Sequence, residues 1–290
     1  NRIGPDVGPF WRFLTTAERA EPRPRSRQPD DNLSAETAIR NTLTRSWMHG
    51  RLWANDPDCV LVRGDRAKLT LDEIRSLASA IGLSGGMVLS SDDLDKVDAG
   101  RIEILSMLLP PLPRSAEPVD LMERDMPERF EIAFDREFDP VRVVGLFNFD
   151  DVAKDIVLPL PEGAWHAYEL WGERYVGVVE RELTMTLVEP HGCRVIALRP
   201  AGDAPMLVGA TAHIGSGALD ITDCRWEGGR LTIDVATPGR RERKIAIATM
   251  GRVPARVFVD GAEAPFEHAR GVCTIALAVD AACQVVIEFG

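Results

Sequence analysis

The chain has 290 residues, of which 45% are hydrophobic and 27% charged, a composition typical of globular proteins that contain more than one core. No apolar run approaches the roughly 18 residues that a membrane-spanning helix needs, so no membrane partner is expected. Residues 1–116 hold 16 Lys and Arg against 16 Asp and Glu, and the whole net charge of −11 therefore falls on the later residues. Without a basic surface, the chain is not expected to bind nucleic acid.

Cysteine and histidine usage gives no sign of a metal or disulfide framework. The cysteines are odd in number, widely spaced and free of any Cys-x-x-Cys pattern (Cys59, Cys193, Cys224, Cys273 and Cys283). This usage favours reduced thiols in a cytoplasmic protein. The five histidines show no ligand spacing, and we expect neither a metal nor an organic cofactor.

The first 113 residues alternate predicted helices with short apolar strands, in the order helix 32–48, strand 59–62, helix 71–81, strand 87–89 and a third helix that runs to Leu109. Thr70 and Glu73 have the spacing of a capping box at the start of the second helix. The Ser-Ser-Asp-Asp run at 90–93 is expected to cap the third helix. Continuous apolar strands between helices are typical of a parallel sheet buried on both faces.

A proline-rich segment at 110–113 predicts a domain boundary, and the helical pattern stops after it. Strand-like segments separated by turn residues follow, including 156–160 and 165–171 on either side of a Pro-Glu-Gly turn. Such a series predicts antiparallel β-sandwich modules. The expected fold class is therefore α/β plus all-β, with modules at 1–113, 114–202 and 203–290.

Four segments of the first module carry a pattern that resembles a known family. They are Arg2-Ile3-Gly4-Pro5-Asp6, Trp47-Met48-His49-Gly50-Arg51-Leu52-Trp53, Asn55-Asp56-Pro57-Asp58 and Gly86-Met87-Val88-Leu89-Ser90-Ser91-Asp92-Asp93-Leu94. In this order, they resemble the later part of the catalytic domain of retaining α-galactosidases, the melibiase-like glycoside hydrolase families 27 and 36. The resemblance implies the last strands and helices of a (β/α)8 barrel, whose chemistry takes place at the carboxyl ends of its strands.

The resemblance also implies a role for each of six residues in the hydrolysis of terminal α-linked galactose from oligosaccharides or glycoconjugates. Asp6 would be the general acid/base, Arg2 would orient the substrate, and the pocket rim would include Asp56, Asp58 and Cys59. Trp11 would either stack on a sugar or fill the core. The family's nucleophile is an aspartate on an earlier strand, in a Lys-x-Asp setting, with no counterpart expected here. Retention needs two carboxyl groups, and the chain is therefore expected to be inactive alone.

Other interpretations remain open at this stage. Asp56 and Asp58 could simply bind backbone amides in Asx turns. The protein could be a non-catalytic carbohydrate-binding or assembly β protein, or an α-N-acetylgalactosaminidase or transglycosidase relative. A homo-oligomer is possible, because exposed strand edges favour association. The basic, Pro-rich segment 21–29 is interpreted as a mobile loop over the cleft.

Overall fold

The computed structural model describes residues 1–12 and 33–290, which are mostly β-strand with few helices and several antiparallel sheets. The predicted loop at 21–29 and the predicted helix start at Asn32 lie outside these residues. The chain forms two compact units: unit 1 comprises Asn1–Glu131, Gly145–Asp155 and Thr186–Cys193, and unit 2 comprises Ile132–Val144, Ile156–Met185 and Arg194–Gly290. The division into modules at 113 and 202 stays a prediction.

The helices of the described residues all belong to unit 1: α1 (Ala35–Arg45), α2 (Leu71–Leu83) and α3 (Ala99–Ser106), with single 3-10 turns at Ser46–Met48 and Leu94–Lys96. The predicted capping box is confirmed. The Thr70 hydroxyl accepts from the Glu73 amide at 3.2 Å, and the Glu73 carboxylate accepts from the Thr70 amide at 2.7 Å. No helix in this part of the chain has the length and apolarity needed to cross a bilayer.

The predicted cap of the third helix is wrong. Asp98, not the 90–93 run, begins α3, and its side chain accepts from the Arg101 amide at 3.1 Å. The Asp92 carboxylate instead accepts from the amides of Val62 and Arg63 at 2.6 and 3.0 Å. A capping signal is local in sequence, whereas the partners of Asp92 lie about thirty residues earlier, just after β1.

Unit 1 contains two short parallel strands, of which β2 is exposed. Strand β1 (Cys59–Val60) pairs with β2 (Leu89–Ser90) in parallel, and Arg2 forms a parallel bridge with Asp56 just before β1. Helix α1 follows the Arg2 segment and α2 joins β1 to β2, with the apolar side chains of α2 after Leu71 buried. Strand and helix therefore alternate in unit 1 as the sequence predicted.

The remaining strands form larger sheets. The six-stranded sheet has the order β3-β4-β5-β8-β6-β7. Its strands are β3 (Glu117–Pro118), β4 (Arg129–Phe134), β5 (Val141–Phe147), β6 (Lys154–Glu169), β7 (Arg174–Val188) and β8 (Cys193–Pro200).

Strand β6 replaces the two strands predicted at 156–160 and 165–171. Its ladder with β8 contains only residues 165–169, and Pro159 and Pro161 lie outside that ladder. Proline lacks an amide donor and is tolerated where no ladder bond is required. Gly163 has φ +105°, a conformation that glycine adopts without steric penalty. The Pro-Glu-Gly segment therefore passes through the strand and does not end it.

Unit 2 contains a β-sandwich. A four-stranded sheet has the order β15-β16-β12-β9, and a five-stranded sheet has the order β10-β11-β17-β13-β14. Alternate side chains of both sheets form one core, among them Ile233, Ile247, Ile275 and Ile287. The strands are β9 (Met206–Ala210), β10 (Ile221–Glu227), β11 (Arg230–Ala236), β12 (Arg241–Ala248), β13 (Pro254–Val259), β14 (Ala262–Glu263), β15 (Glu267–Ala269), β16 (Val272–Val279) and β17 (Ala282–Phe289).

A buried ion pair joins two segments of unit 2. Arg199 in β8 is fully buried, and its Nε and Nη2 donate to the two Asp139 oxygens at 2.6 and 3.0 Å. The remaining Arg199 donors reach the carbonyl oxygens of Val208 and Ser216 at 3.1 and 2.7 Å. Every charged group of the pair is thereby satisfied, which is the condition under which a buried pair is tolerated.

Replacing Asp139 by Asn should destabilise unit 2 strongly, because it removes the carboxylate charge that buried Arg199 shares with Arg136. We expect Asp139→Asn to lower the free energy of unfolding by about 3–5 kcal/mol in urea denaturation. Asp280→Asn is the matched control, since Asp280 is 86% exposed and its pair with Arg240 spans 3.7 Å. Equal stability of the two variants would contradict this account.

Candidate functional site

Arg2 lies among three aspartates that the sequence analysis had grouped with it. Its Nη1 lies 3.0 Å from Asp6 Oδ1, its Nε lies 3.2 Å from Asp56 Oδ2, and its Nη2 lies 3.1 Å from Asp58 Oδ1. All three guanidinium nitrogens are thus directed to carboxylates, an arrangement that the planar fork of arginine permits and lysine does not. We call these four residues the Arg2 cluster.

The cluster forms because two backbone segments run side by side. The Ile3 amide donates to the Asp56 carbonyl at 3.0 Å, and the Asp56 amide donates to the Asn1 carbonyl at 2.8 Å. This parallel pairing aligns Arg2 with Asp56 and leaves Asp6 and Asp58 just beyond the bridge. The carboxylates that surround Arg2 are therefore positioned by the sheet.

Asp58 is the buried member of the cluster. Its side chain is only 9% exposed, and Oδ2 accepts from the Val7 amide at 2.6 Å while Oδ1 faces Arg2. The backbone of Asp58 has φ +74°, a left-handed conformation that aspartate tolerates better than most residues. Both oxygens are engaged, and the carboxylate links the Val7 backbone to the segment directly before β1.

Asp56 also has both oxygens engaged, whereas Asp6 does not. Asp56 Oδ1 accepts from the Asp58 amide at 2.9 Å, which is the Asx turn that the sequence analysis left open, and Oδ2 accepts from Arg2. The Asp6 side chain is 77% exposed and contacts Arg2 through Oδ1. Of the three carboxylates, Asp6 has the greatest access to a molecule from solvent.

The three aspartates stabilise the charged form of Arg2. Burial by itself lowers the pKa of Arg2, but the hydrogen bonds and charges of Asp56, Asp58 and Asp6 outweigh burial and raise the pKa above its ordinary value. The guanidinium stays positive at any pH at which the fold exists. Within residues 1–12 and 33–290, no group of three or more His, Cys, Asp and Glu side chains has metal-binding geometry.

Cys59 follows the cluster as a neutral thiol. Burial raises its pKa, and the nearby Asp58 charge acts in the same direction, although a hydrogen bond with Ser91 opposes them. Since the thiolate is the nucleophilic form of cysteine, this thiol is poorly suited to covalent chemistry near neutral pH. Its place on a pocket rim and its contact with a sugar stay predictions.

Trp11 lies in a packed position apart from the cluster. Its ring is 6% exposed and stacks on His191, with centroids 4.5 Å apart and planes inclined by 11°. The His191 ring nitrogens lie 2.8 Å from Glu73 Oε1 and 2.8 Å from Asp151 Oδ1. The structure therefore gives Trp11 the core-filling role, and this burial leaves no open indole face for the alternative of sugar stacking.

The same network extends through Arg12. This arginine donates to both Asp151 oxygens at 2.9 Å and to Glu36 at 3.0 Å. The hydrogen bonds from His191 and Arg12 lower the pKa of Asp151, which keeps that carboxylate charged. The segment after Asp6 is thus tied to α1 and, through His191, to α2. Sequence patterns missed this network because its members are widely separated along the chain.

One Lys-x-Asp segment does occur in the chain, at Lys96-Val97-Asp98. There the aspartate is the N-cap of α3 and pairs with Arg101 at 3.1 Å, so it is not a strand residue as in the family's nucleophile setting. Asp92, which sequence reasoning treated as a cap, binds the backbone after β1 and has a fully buried side chain.

Alanine substitutions at Asp58 and Asp6 should differ in their effect on stability and on hydrogen exchange at Val7. Asp58→Ala leaves the Val7 amide without its acceptor, and we expect a loss of about 1–3 kcal/mol in unfolding free energy together with faster hydrogen exchange at Val7. Asp6→Ala, the matched control, removes an exposed carboxylate and should leave both quantities nearly unchanged. Unaltered exchange at Val7 in Asp58→Ala would disprove the positioning role of Asp58.

Comparison with solved structures identifies the fold. No protein-family model matches the sequence. An α-galactosidase from Saccharomyces cerevisiae superimposes with a TM-score of 0.52 at 15% identity, covering 69% of this chain and 59% of that one. A candidate α-galactosidase from Bacteroides fragilis gives a TM-score of 0.51 at 18% identity, covering 70% of this chain and 42% of that one.

The chain thus spans only about half of the length of these solved structures. At such low identity the likeness concerns the fold alone. Over about 69% of its length, this chain has the fold of α-galactosidase structures, and the suspected resemblance holds at that level.

Proposed function

We propose that this chain provides the general acid/base part of a retaining glycoside hydrolase that acts on terminal α-linked galactose. The observation that supports the proposal is the asymmetry within the Arg2 cluster. Asp56 and Asp58 use both carboxylate oxygens internally, while Asp6 is held by Arg2 and is 77% exposed. A proton donor must be fixed in orientation and open to the glycosidic oxygen, and Asp6 meets both conditions.

The proposal gives each neighbour of Asp6 a distinct part. Arg2 orients the Asp6 carboxylate and donates to substrate hydroxyl groups from its exposed edge. Asp56 and Asp58 fix Arg2, and Cys59 borders the sugar. The parallel segments around Arg2, β1 and β2, with α1 and α2 between them, are proposed to be the last strands and helices of a (β/α)8 barrel, in which such residues occupy the carboxyl ends of strands.

Retention requires a second carboxylate about 5–5.5 Å from the first, which attacks the anomeric carbon. Asp56 and Asp58 are poor candidates because their oxygens already bind Arg2 and backbone amides. We therefore propose that the nucleophile lies outside these 290 residues. Turnover is expected from a longer reading frame that includes them and not from this chain alone.

The acid/base role of Asp6 can be tested by the dependence of the rate on the leaving group. Asp6→Asn should lower kcat/KM for methyl α-galactoside by about 10²–10⁴-fold in the active reading frame, because the departing methoxide needs a proton. The loss should be much smaller for p-nitrophenyl α-galactoside, whose leaving group departs without one. Asp65→Asn, at an exposed aspartate outside the cluster, is the control and should retain full activity.

Three outcomes would contradict the proposal. Equal losses on the two substrates would assign Asp6 a role other than proton donation. Full activity of Asp6→Asn would remove it from the site. Absence of any turnover of α-galactosides by the longer frame would favour a non-catalytic carbohydrate-binding or assembly protein.

A further inference from the structure

A polar recess in unit 1 is separate from the Arg2 cluster. It encloses about 450 Å³ between the 3-10 turn that follows α1 and the chain around β3. Its lining includes Trp47, His49, Arg51, Glu117 and Leu121, and contains no member of the cluster. We call it the Trp47 pocket. Its volume falls within the range of small-molecule sites in proteins.

The Trp47 pocket adjoins the backbone segment that leads to the cluster. The Asn55 amide donates to Nδ1 of His49, a pocket residue, at 3.1 Å. Asn55 directly precedes Asp56, which forms the bridge with Arg2, but no member of the cluster lines the pocket.

Three side chains of the pocket have no partner within the described residues. Trp47 is 47% exposed and contacts no other ring there, although an indole of this size is commonly packed. Among residues 1–12 and 33–290, the Arg51 guanidinium forms no ion pair and the Glu117 carboxylate accepts no hydrogen bond. The indole face of Trp47, the hydrogen-bond donors of Arg51 and the acceptor oxygens of Glu117 are therefore all available to a ligand in this pocket.

His49 adds a donor of defined orientation. Its Nδ1 accepts the Asn55 amide hydrogen, so that in the neutral ring the proton is on Nε2. Burial lowers the pKa of His49, and the ring is accordingly neutral at pH 7. It can then donate from Nε2 without contributing charge.

We infer that the Trp47 pocket binds a neutral saccharide unit at a site distinct from the Arg2 cluster. The flat carbon–hydrogen face of a sugar ring packs on the indole of Trp47. Its hydroxyl groups, which both donate and accept, pair with the Glu117 carboxylate and the Arg51 guanidinium. A fully apolar ligand would desolvate the charges of Arg51, Arg114 and Glu117 without replacing their hydrogen bonds, whereas sugar hydroxyl groups can accept from the arginines and donate to the carboxylate.

The inference can be tested by saturation-transfer NMR and calorimetry on the intact protein, with galactose and glucose as neutral probes and galacturonate as the anionic probe. We expect a neutral sugar to bind, and Trp47→Ala to weaken that binding by roughly tenfold or more. Trp53→Ala is the matched control, because Trp53 is 38% exposed, lies six residues away and does not line the pocket. Arg51→Gln should weaken binding too, with the fold retained.

The design separates this site from the proposed acid/base site. Binding that persists in Asp6→Asn and Asp58→Ala but fails in Trp47→Ala supports the pocket, whatever the catalytic assay shows. Binding that persists in Trp47→Ala and fails in Asp58→Ala would assign the sugar to the Arg2 cluster and overturn the inference. Absence of neutral-sugar binding, or preference for galacturonate, would overturn it as well.

Discussion

The arrangement of the candidate site depends on one guanidinium group. Arg2 forms an ion pair with each of three carboxylates through a different nitrogen, and it is the one cation among the four cluster residues. Three aspartates close together would repel one another, and the positive charge between them makes their proximity possible. The two inner carboxylates in turn bind backbone amides, so that the same charge fixes the course of the chain on both sides of the bridge. Electrostatics and backbone geometry are coupled here.

Parallel strand pairing supplies the rest of the geometry. Arg2 and Asp56 are 54 residues apart, and only the bridge between their segments brings them into register. Residues that follow a strand on adjacent parallel segments meet at the same edge of the sheet. The network of Trp11, Arg12 and His191 then fixes the segment that leaves the cluster. The exposed carboxylate of Asp6 thus lies on a short stretch held at both ends.

Sequence reasoning succeeded where the determining contacts are local. The capping box of Thr70 and Glu73 and the start of α2 follow from residues three apart, and both are confirmed. The same logic failed at Asp92, where a local pattern competed with a distant backbone partner and the distant partner prevailed. It failed again at β6, because proline ends a strand only where its missing amide would be needed. The grouping of Arg2 with the aspartates came from resemblance, since no periodicity relates them. The Trp47 pocket could not be predicted from a sequence pattern, because its two walls are more than sixty residues apart.

The Arg2 cluster and the Arg199–Asp139 pair differ in how far solvent reaches their charges. The Arg2 side chain is 40% exposed, whereas Arg199 is completely shielded from solvent by unit 2. Dissolved ions screen charges that water can reach and barely affect those in the interior. Increasing ionic strength therefore weakens the attraction between Arg2 and its aspartates more than the attraction within the Arg199–Asp139 pair. The cluster nearest to the proposed chemistry is thus more sensitive to salt than the buried pair of unit 2.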